Sequence, residues 1–218
     1  MSIKDNFDIS KTLAKQFLEK YEYPWEILPD ISKIILLIQK DLGNDYKEVK
    51  KEVFIHQSAI VSESSVINAP CIIGKNTEIR TGAFIRGAVL IGENCVVGNS
   101  SEVKNSILFD CVQIPHFNYV GDSILGYRAH LGAGAVISNL KSDKSLVYSF
   151  DEGANRVNTG LKKCGGFLGD LVEIGCNSVI TPGTVIEKNS NVYPLSLVRG
   201  LVAQNSILKS GGVLVNKI

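Results

Sequence analysis

The chain has 218 residues, enough for one or two domains with a sizeable core, and its 23 Lys and Arg balance 22 Asp and Glu. That near-neutral balance gives no support to a nucleic-acid footprint. The longest apolar run, Ile34 to Ile38, is far too short to span a membrane. The opening Met-Ser-Ile-Lys-Asp-Asn-Phe-Asp has no apolar core, so a cytoplasmic chain without a leader is expected.

Residues 1–50 read as a small helical cap. Ile9, Leu13, Phe17 and Leu18 stand near helical spacing, and Asp30 can cap a second helix whose apolar face is Ile31, Ile34, Ile35 and Ile38 and which Gly43 ends. Trp25 is expected to anchor this piece against the end of the repeats that begin at Val53, because a solenoid needs its terminal edges covered.

From Val53 the chain repeats every six residues. Ile55, Val61, Ile67, Ile73, Ile79, Ile85, Ile91, Val97 and Val103 form a large column, preceded by two residues in each case by a small one: Val53, Ala59, Ser65, Cys71, Thr77, Ala83, Val89, Cys95 and Ser101. A hexapeptide period specifies a parallel β-helix. The phase shortens by one after Phe109, to Ile114 and Val120, and again at Leu125, before Leu131 and Ile137. Residues 51–204 are assigned to this solenoid, with three six-residue sides to a coil. Residues 141–165 are polar and carry no column, so they read as a loop excursion of the kind that is usually functional or mobile. The repeat returns at Leu168, and 205–218 is a tail whose apolar residues can pack back on the coils. Cys71 and Cys95 fall in the small column and read as buried hydrophobes. Cys111, Cys164 and Cys176 show no CxxC spacing, and disulfides are not expected.

Side chains beside the inward columns point outward, so polar groups that stack by coil carry the chemistry. Arg86 and Lys104 are 18 residues apart, one coil above the other, and two stacked cations repel unless an anion lies between or beside them. The same count puts Tyr119 on their side, His116 just before the preceding corner, His130 one coil above His116, and Asn139 on the next side, near Tyr119. These residues are expected to converge on one corner, where a histidine is a natural general base. With His56 distant and no third ligand evident, no metal is expected.

The stretches IRTGAFIRG, VVGNSSEVKNS, PHFNYVGDSILG and HLGAGAVISN resemble the acetyltransferase domain of the bifunctional N-acetylglucosamine-1-phosphate uridyltransferase/glucosamine-1-phosphate acetyltransferases. NTGLKKCGGFLGDLVEIGCNSVITPG is similar to the archaeal-type sugar-1-phosphate nucleotidyltransferases with an acetyltransferase tail. The resemblance covers roughly residues 53–200. It implies a left-handed parallel β-helix, a homotrimer with sites between subunits, and acetyl-CoA as co-substrate. It also implies His116 as base on a sugar amine, Arg80, Lys104 and Tyr119 on the phosphate or sugar, and Asn139 as a further catalytic residue. Lys141 or Lys144 would stand near the substrate, and Cys176, Pro194 and Arg199 along acetyl-CoA. His130 departs from the family's asparagine, which leaves the acceptor open. The 141–165 loop is longer than in the bacterial enzymes. No Gly-rich phosphate loop is present and fifty N-terminal residues cannot form a nucleotide-binding domain, so nucleotidyl transfer is not expected, and a separate nucleotidyltransferase is a possible partner.

The expected function is acetyl transfer from acetyl-CoA to an amino-sugar phosphate such as glucosamine-1-phosphate. The alternatives are acyl transfer to another amine or hydroxyl, and a non-catalytic module that binds a sugar phosphate or assembles with a nucleotidyltransferase.

Overall fold

A computed structural model describes residues 2–217. The hexapeptide columns build a left-handed parallel β-helix of triangular section. Its three faces contain nine, seven and nine strands among the described residues. The first face carries Val53–His56, Cys71–Ile73, Val89–Ile91, Ser106–Leu108, Ile124–Leu125, Phe167–Leu168, Val185–Ile186 and Leu201–Val202, with Tyr46–Lys50 paired antiparallel at its start. The second runs from Ile60–Val61 through Val96–Asn99, Gln113–His116, His130–Leu131 and Glu173–Ile174 to Ser206–Lys209. The third is Val66–Ile67, Phe84–Ile85, Glu102–Lys104, Tyr119–Gly121, Val136–Ile137, Val179–Ile180 and Leu197–Val198.

The large-column residues from Ile73 onward are buried, and so are Cys71 and Cys95. Small polar residues of the column repair the stacking: Thr77 donates to the Gly92 carbonyl at 2.7 Å and Ser101 to the Ile114 carbonyl at 3.0 Å. The coil shortens from 18 to 17 residues earlier than the sequence phase suggests. Leu108, not Phe109, lies over Ile91. Phe109 instead turns into the corner and meets the Phe7 ring at 5.5 Å between centroids.

The outward positions give the three faces different characters. On the second face the register column Glu78, Val96, Gln113, His130, Glu173 and Asn191 is mostly polar. On the first face the equivalent residues Ile72, Leu90, Ile107, Ile124, Phe167 and Val185 are apolar and fully buried. Their cover is the N-terminal segment.

That cover corrects the expected end cap. The segment lies along the flank of the first face. Gln39 donates to the Glu52 carbonyl, Asn105 to the Leu28 carbonyl, Asp110 N–H to the Lys11 carbonyl, and Asp170 N–H to the Asn6 carbonyl. Trp25 is 3% exposed, stacked on Tyr23 at 4.6 Å and tilted against Phe167 at 5.9 Å, well inside the solenoid's length. The first coil stays open: Ile55, Val61 and Ile67 are only half-buried.

The first expected helix is broken into Ile3–Asn6, Ile9–Lys11 and Lys15–Leu18. Its carbonyls are diverted to the solenoid, and Thr12 is extended and accepts the Ala14 N–H at 3.3 Å. The second helix, Ile31–Ile38, forms with the expected buried face. Asp30 does not cap it with its side chain, because its carboxylate accepts the Tyr21 hydroxyl at 2.8 Å. The helix ends before Gly43, passing into a 3-10 turn at Gln39–Asp41.

The 141–165 excursion is an ordered arm containing the hairpin Tyr148–Phe150 with Arg156–Asn158. It is pinned by the buried Val147 and by Ser149, which donates to the Gly183 carbonyl at 3.0 Å. The tail folds back, Val213–Asn216 pairing antiparallel with Ser206–Lys209, but of its apolar residues Leu208 is buried while Val213 and Leu214 stay exposed. No helix is long and apolar enough to cross a membrane among the described residues.

Candidate active site

The ladder places Lys104 beside Gly121 and Val103 beside Ile85, so Arg86 does stand one coil below Lys104, with Tyr119 one coil above Glu102. The anion expected between the cations is supplied by the chain itself. Arg86 is 2.6 Å from Glu102, and Lys104 is 3.2 Å from Asp122. Arg80 is not in this group. It follows Ile79 on the second face and pairs with Glu78 at 2.9 Å.

Asp122 was not expected as a site residue and is the hub. It sits at a corner with φ of 49°, is 4% exposed, and accepts Lys104, Asn105 at 2.8 Å, and the Asn139 amide. Its signal in the sequence was its place 18 residues after Lys104. Asn139 follows Val136–Ile137 of the third face, so it belongs to the same side as Tyr119, one coil on, and not to the next side. Burial raises the Tyr119 phenol above its ordinary value, helped by the Glu102 and Asp122 carboxylates, while Arg86 and a hydrogen bond from Asn139 oppose. The phenol is therefore an O–H group at neutral pH.

His116 ends Gln113–His116 on the second face. Its N–H donates to Asn118, whose buried amide donates on to the Gly132 and Ala135 carbonyls. The imidazole is exposed and has no side-chain partner among the described residues. The corner above it is a continuous stack. Gly134 N–H donates to the His116 carbonyl, Asn177 N–H to the Ala133 carbonyl, and Leu195 N–H to the Cys176 carbonyl. His116, Cys176 and Pro194 therefore share one corner, at intervals of about 4.8 Å per coil.

The expected convergence on a single corner is only partly met. His116 lies at the corner entering the third face, and Lys104, Asp122 and Asn139 lie at the corner leaving it. Three residues of strand separate the corners, about 10 Å. Tyr119 bridges them, for it starts the strand while its hydroxyl crowds over Gly121.

His130 is not above His116. It pairs with Gln113, three residues earlier on the second face, and its Nδ1 is 2.7 Å from Glu173. There it lines a separate cleft of about 490 Å³ with Asn94, Tyr127 and Arg128. Its 14-residue separation from His116 is three short of the 17-residue coil, and the residue that stacks on His116 is Ala133.

Lys141 is tied inside the arm, to Ser145, to the Leu146 carbonyl at 3.4 Å and to Asp143 at 3.6 Å. Lys144 is an exposed turn residue with φ of 55°. Arg199 stands at the far corner of the third face from Cys176 and Pro194, in a groove of about 580 Å³ shared with Lys141, Tyr148, Phe150 and Arg156 of the arm. Among the described residues no group of three His, Cys, Asp or Glu side chains is placed to hold a metal ion.

Residues 67–154 match the GMPPB C-terminal domain family. Over that span this hexapeptide-repeat chain is similar to that family. It is 34% identical over 191 residues to a bifunctional sugar-1-phosphate nucleotidylyltransferase/acetyltransferase of Sulfurisphaera tokodaii, covering 85% of this chain and 47% of that protein. It is 33% identical over 199 residues to a bifunctional protein GlmU of Methanocaldococcus jannaschii, covering 89% of this chain and 48% of the relative. The chain thus spans about half the length of the curated relatives it matches. Among solved structures, the polySia specific acetyltransferase NeuO superimposes with a TM-score of 0.47 at 15% identity, over 78% of this chain and 88% of that one.

Proposed function

We propose that this hexapeptide-repeat chain is an acetyl-CoA-dependent N-acetyltransferase acting on an amino-sugar phosphate such as glucosamine-1-phosphate. The observation that carries the reading is the corner stack, in which an unpartnered imidazole, His116, shares a hydrogen-bonded column with Cys176 and Pro194. Acetyl-CoA would lie along Cys176 and Pro194, bringing its thioester down toward His116. The acceptor would lie across the third face, its polar end at Lys104 and Asn139 and its amine toward His116. His116 takes the amine proton as nitrogen attacks the thioester carbon. The C–S bond then breaks, and the departing thiolate recovers the proton. Holding both substrates on one rigid face supplies the proximity that the step needs.

A homotrimer fits the third face. In one register Val66 and Phe84 below, and Val136, Val179 and Leu197 above, are apolar rungs on either side of Glu102 and Tyr119, and Leu195 beside them is 76% exposed. Apolar rungs of this extent on a soluble chain mark a protein contact. A neighbouring copy placed there would enclose the acceptor between subunits. A cytoplasmic setting and a nucleotidyltransferase partner belong to the same reading.

A second acceptor class is favoured by one observation. Arg86 and Lys104 already have carboxylate partners, so the clamp is less cationic than a phosphate requires, which suits an uncharged amino or hydroxyl sugar. A thiol-release assay with acetyl-CoA and a panel of amino sugars, with and without 1-phosphate, tests both. CoA release that depends on an amino-sugar phosphate supports the first reading, and release with unphosphorylated acceptors alone supports the second. No release with any acceptor refutes both and leaves a non-catalytic binding module.

A further inference from the structure

We infer that Asp122 is a positioning residue of this site, one that orients Asn139 and draws back Lys104 so that the acceptor meets a carbonyl oxygen rather than an amide N–H. Asp122 is a carboxylate almost without contact with water, so its charge needs partners. It has three, drawn from coils below and above: Lys104 at 3.2 Å, Asn105 at 2.8 Å, and the Asn139 amide nitrogen. Asn105 also donates to the Leu28 carbonyl at 3.3 Å, which braces the hub against the N-terminal cover.

The consequence falls on Asn139. An asparagine amide offers two N–H donors and one carbonyl acceptor. One N–H is spent on Asp122, and the same nitrogen lies with the Tyr119 hydroxyl over Gly121, donating to the phenol oxygen. The carbonyl oxygen Oδ1 accepts nothing among the described residues, yet it is not a buried orphan, so it faces solvent. A carboxylate can only accept from Asn139, which fixes this orientation of the amide; a neutral residue at 122 would permit either. The group presented to the acceptor's polar end therefore takes a hydrogen bond from a hydroxyl there, while the amine stays at His116. Stabilising the developing oxyanion, the other role open to Asn139, needs the N–H that Asp122 holds, and passes to a backbone amide.

The kinetic test rests on the acetyl transfer proposed for this site. Asp122→Asn raises the acceptor KM at least tenfold while the acetyl-CoA KM stays within twofold, with an unchanged circular dichroism spectrum. Lys104→Met then costs far less in the Asp122→Asn background than in the wild type, as residues acting through one contact do. A folded Asp122→Asn protein with wild-type acceptor KM overturns the inference. A second measurement needs no activity. In ¹H–¹⁵N spectra of the wild-type protein the Asn139 side-chain amide, assigned with Asn139→Asp, exchanges with solvent at least tenfold more slowly than free asparagine. Exchange at the free rate overturns the orientation. If no acceptor is acetylated, the functional reading falls and the exchange rate alone decides Asp122.

Discussion

Gly98 offers a severe test of the coil stacking on which the site depends. It lies within Val96–Asn99, opposite Pro115, and Asn99 pairs with His116. A Cβ placed on Gly98 would stand 1.6 Å from the Pro115 carbonyl oxygen and 2.4 Å from its Cα. Both are backbone atoms held by the ladder on either side, so no rotamer change relieves the clash. Coil and coil must part by more than an ångström at the strand that ends in His116. Overpacking of this kind costs about 1–3 kcal/mol, and more where backbone must move. At roughly 2–4 °C per kcal/mol for a chain of this size, Gly98→Ala lowers Tm by about 2–12 °C. Gly43→Ala is the control. Nothing lies within 4 Å of its Cβ and its φ is not positive, so it leaves Tm unchanged or raises it through the unfolded chain. Differential scanning calorimetry measures both, and the kinetic assay follows His116. A Gly98→Ala protein melting within about 1 °C of wild type would refute the stacking argument.

The remaining predictions concern the cover, the thiols and pH. Trp25→Ala removes the ring between Tyr23 and Phe167 and costs about 3–5 kcal/mol by urea unfolding; a loss under about 1 kcal/mol would mean that the cover is not packed as described. In the native protein a maleimide labels the exposed Cys176 first, and acetyl-CoA slows it, whereas Cys71, fully buried with its thiol pushed up to about 12, reacts only on unfolding. Labelling of Cys176 that ignores acetyl-CoA would separate that corner from the co-substrate. Burial raises the Asp170 carboxyl, which holds the Asp8 and Tyr127 N–H groups. Its contribution to stability is complete below the ordinary carboxyl value and lost as pH rises through the folded one. The urea midpoint of Asp170→Asn should therefore gain on wild type as pH rises from about 4 toward 7; a constant difference would refute the raised value.

The solenoid was legible because the hexapeptide column is a burial pattern, and burial is what a period reports. The stacking of Arg86 and Lys104, and the place of Tyr119 on their face, followed from the same count. The count slipped by one residue between Val103 and Leu108, but His130 was misplaced for another reason: it stands 14 residues after His116, three short of the 17-residue coil, so it stacks on Gln113. The carboxylates were missed because the cations alone were stacked; Glu102 and Asp122 stand one coil from their partners and were equally countable. The flank position of residues 2–45 was also written in the sequence. Ile72, Leu90 and Ile107 are apolar at outward positions, which makes sense only under a cover. The breaks in the first helix were not legible, since they arise from carbonyls bonded to Asp110 and Asp170 far along the chain.

The central claim is that His116 serves as the base for acetyl transfer across the third face. It is tested most directly by kcat/KM for acetyl transfer in His116→Ala, measured by CoA release on protein with a wild-type circular dichroism spectrum. A general base contributes about 10²–10⁴-fold, so a loss in that range, with acetyl-CoA binding retained, is the predicted result. Transfer at the wild-type rate in His116→Ala would contradict it.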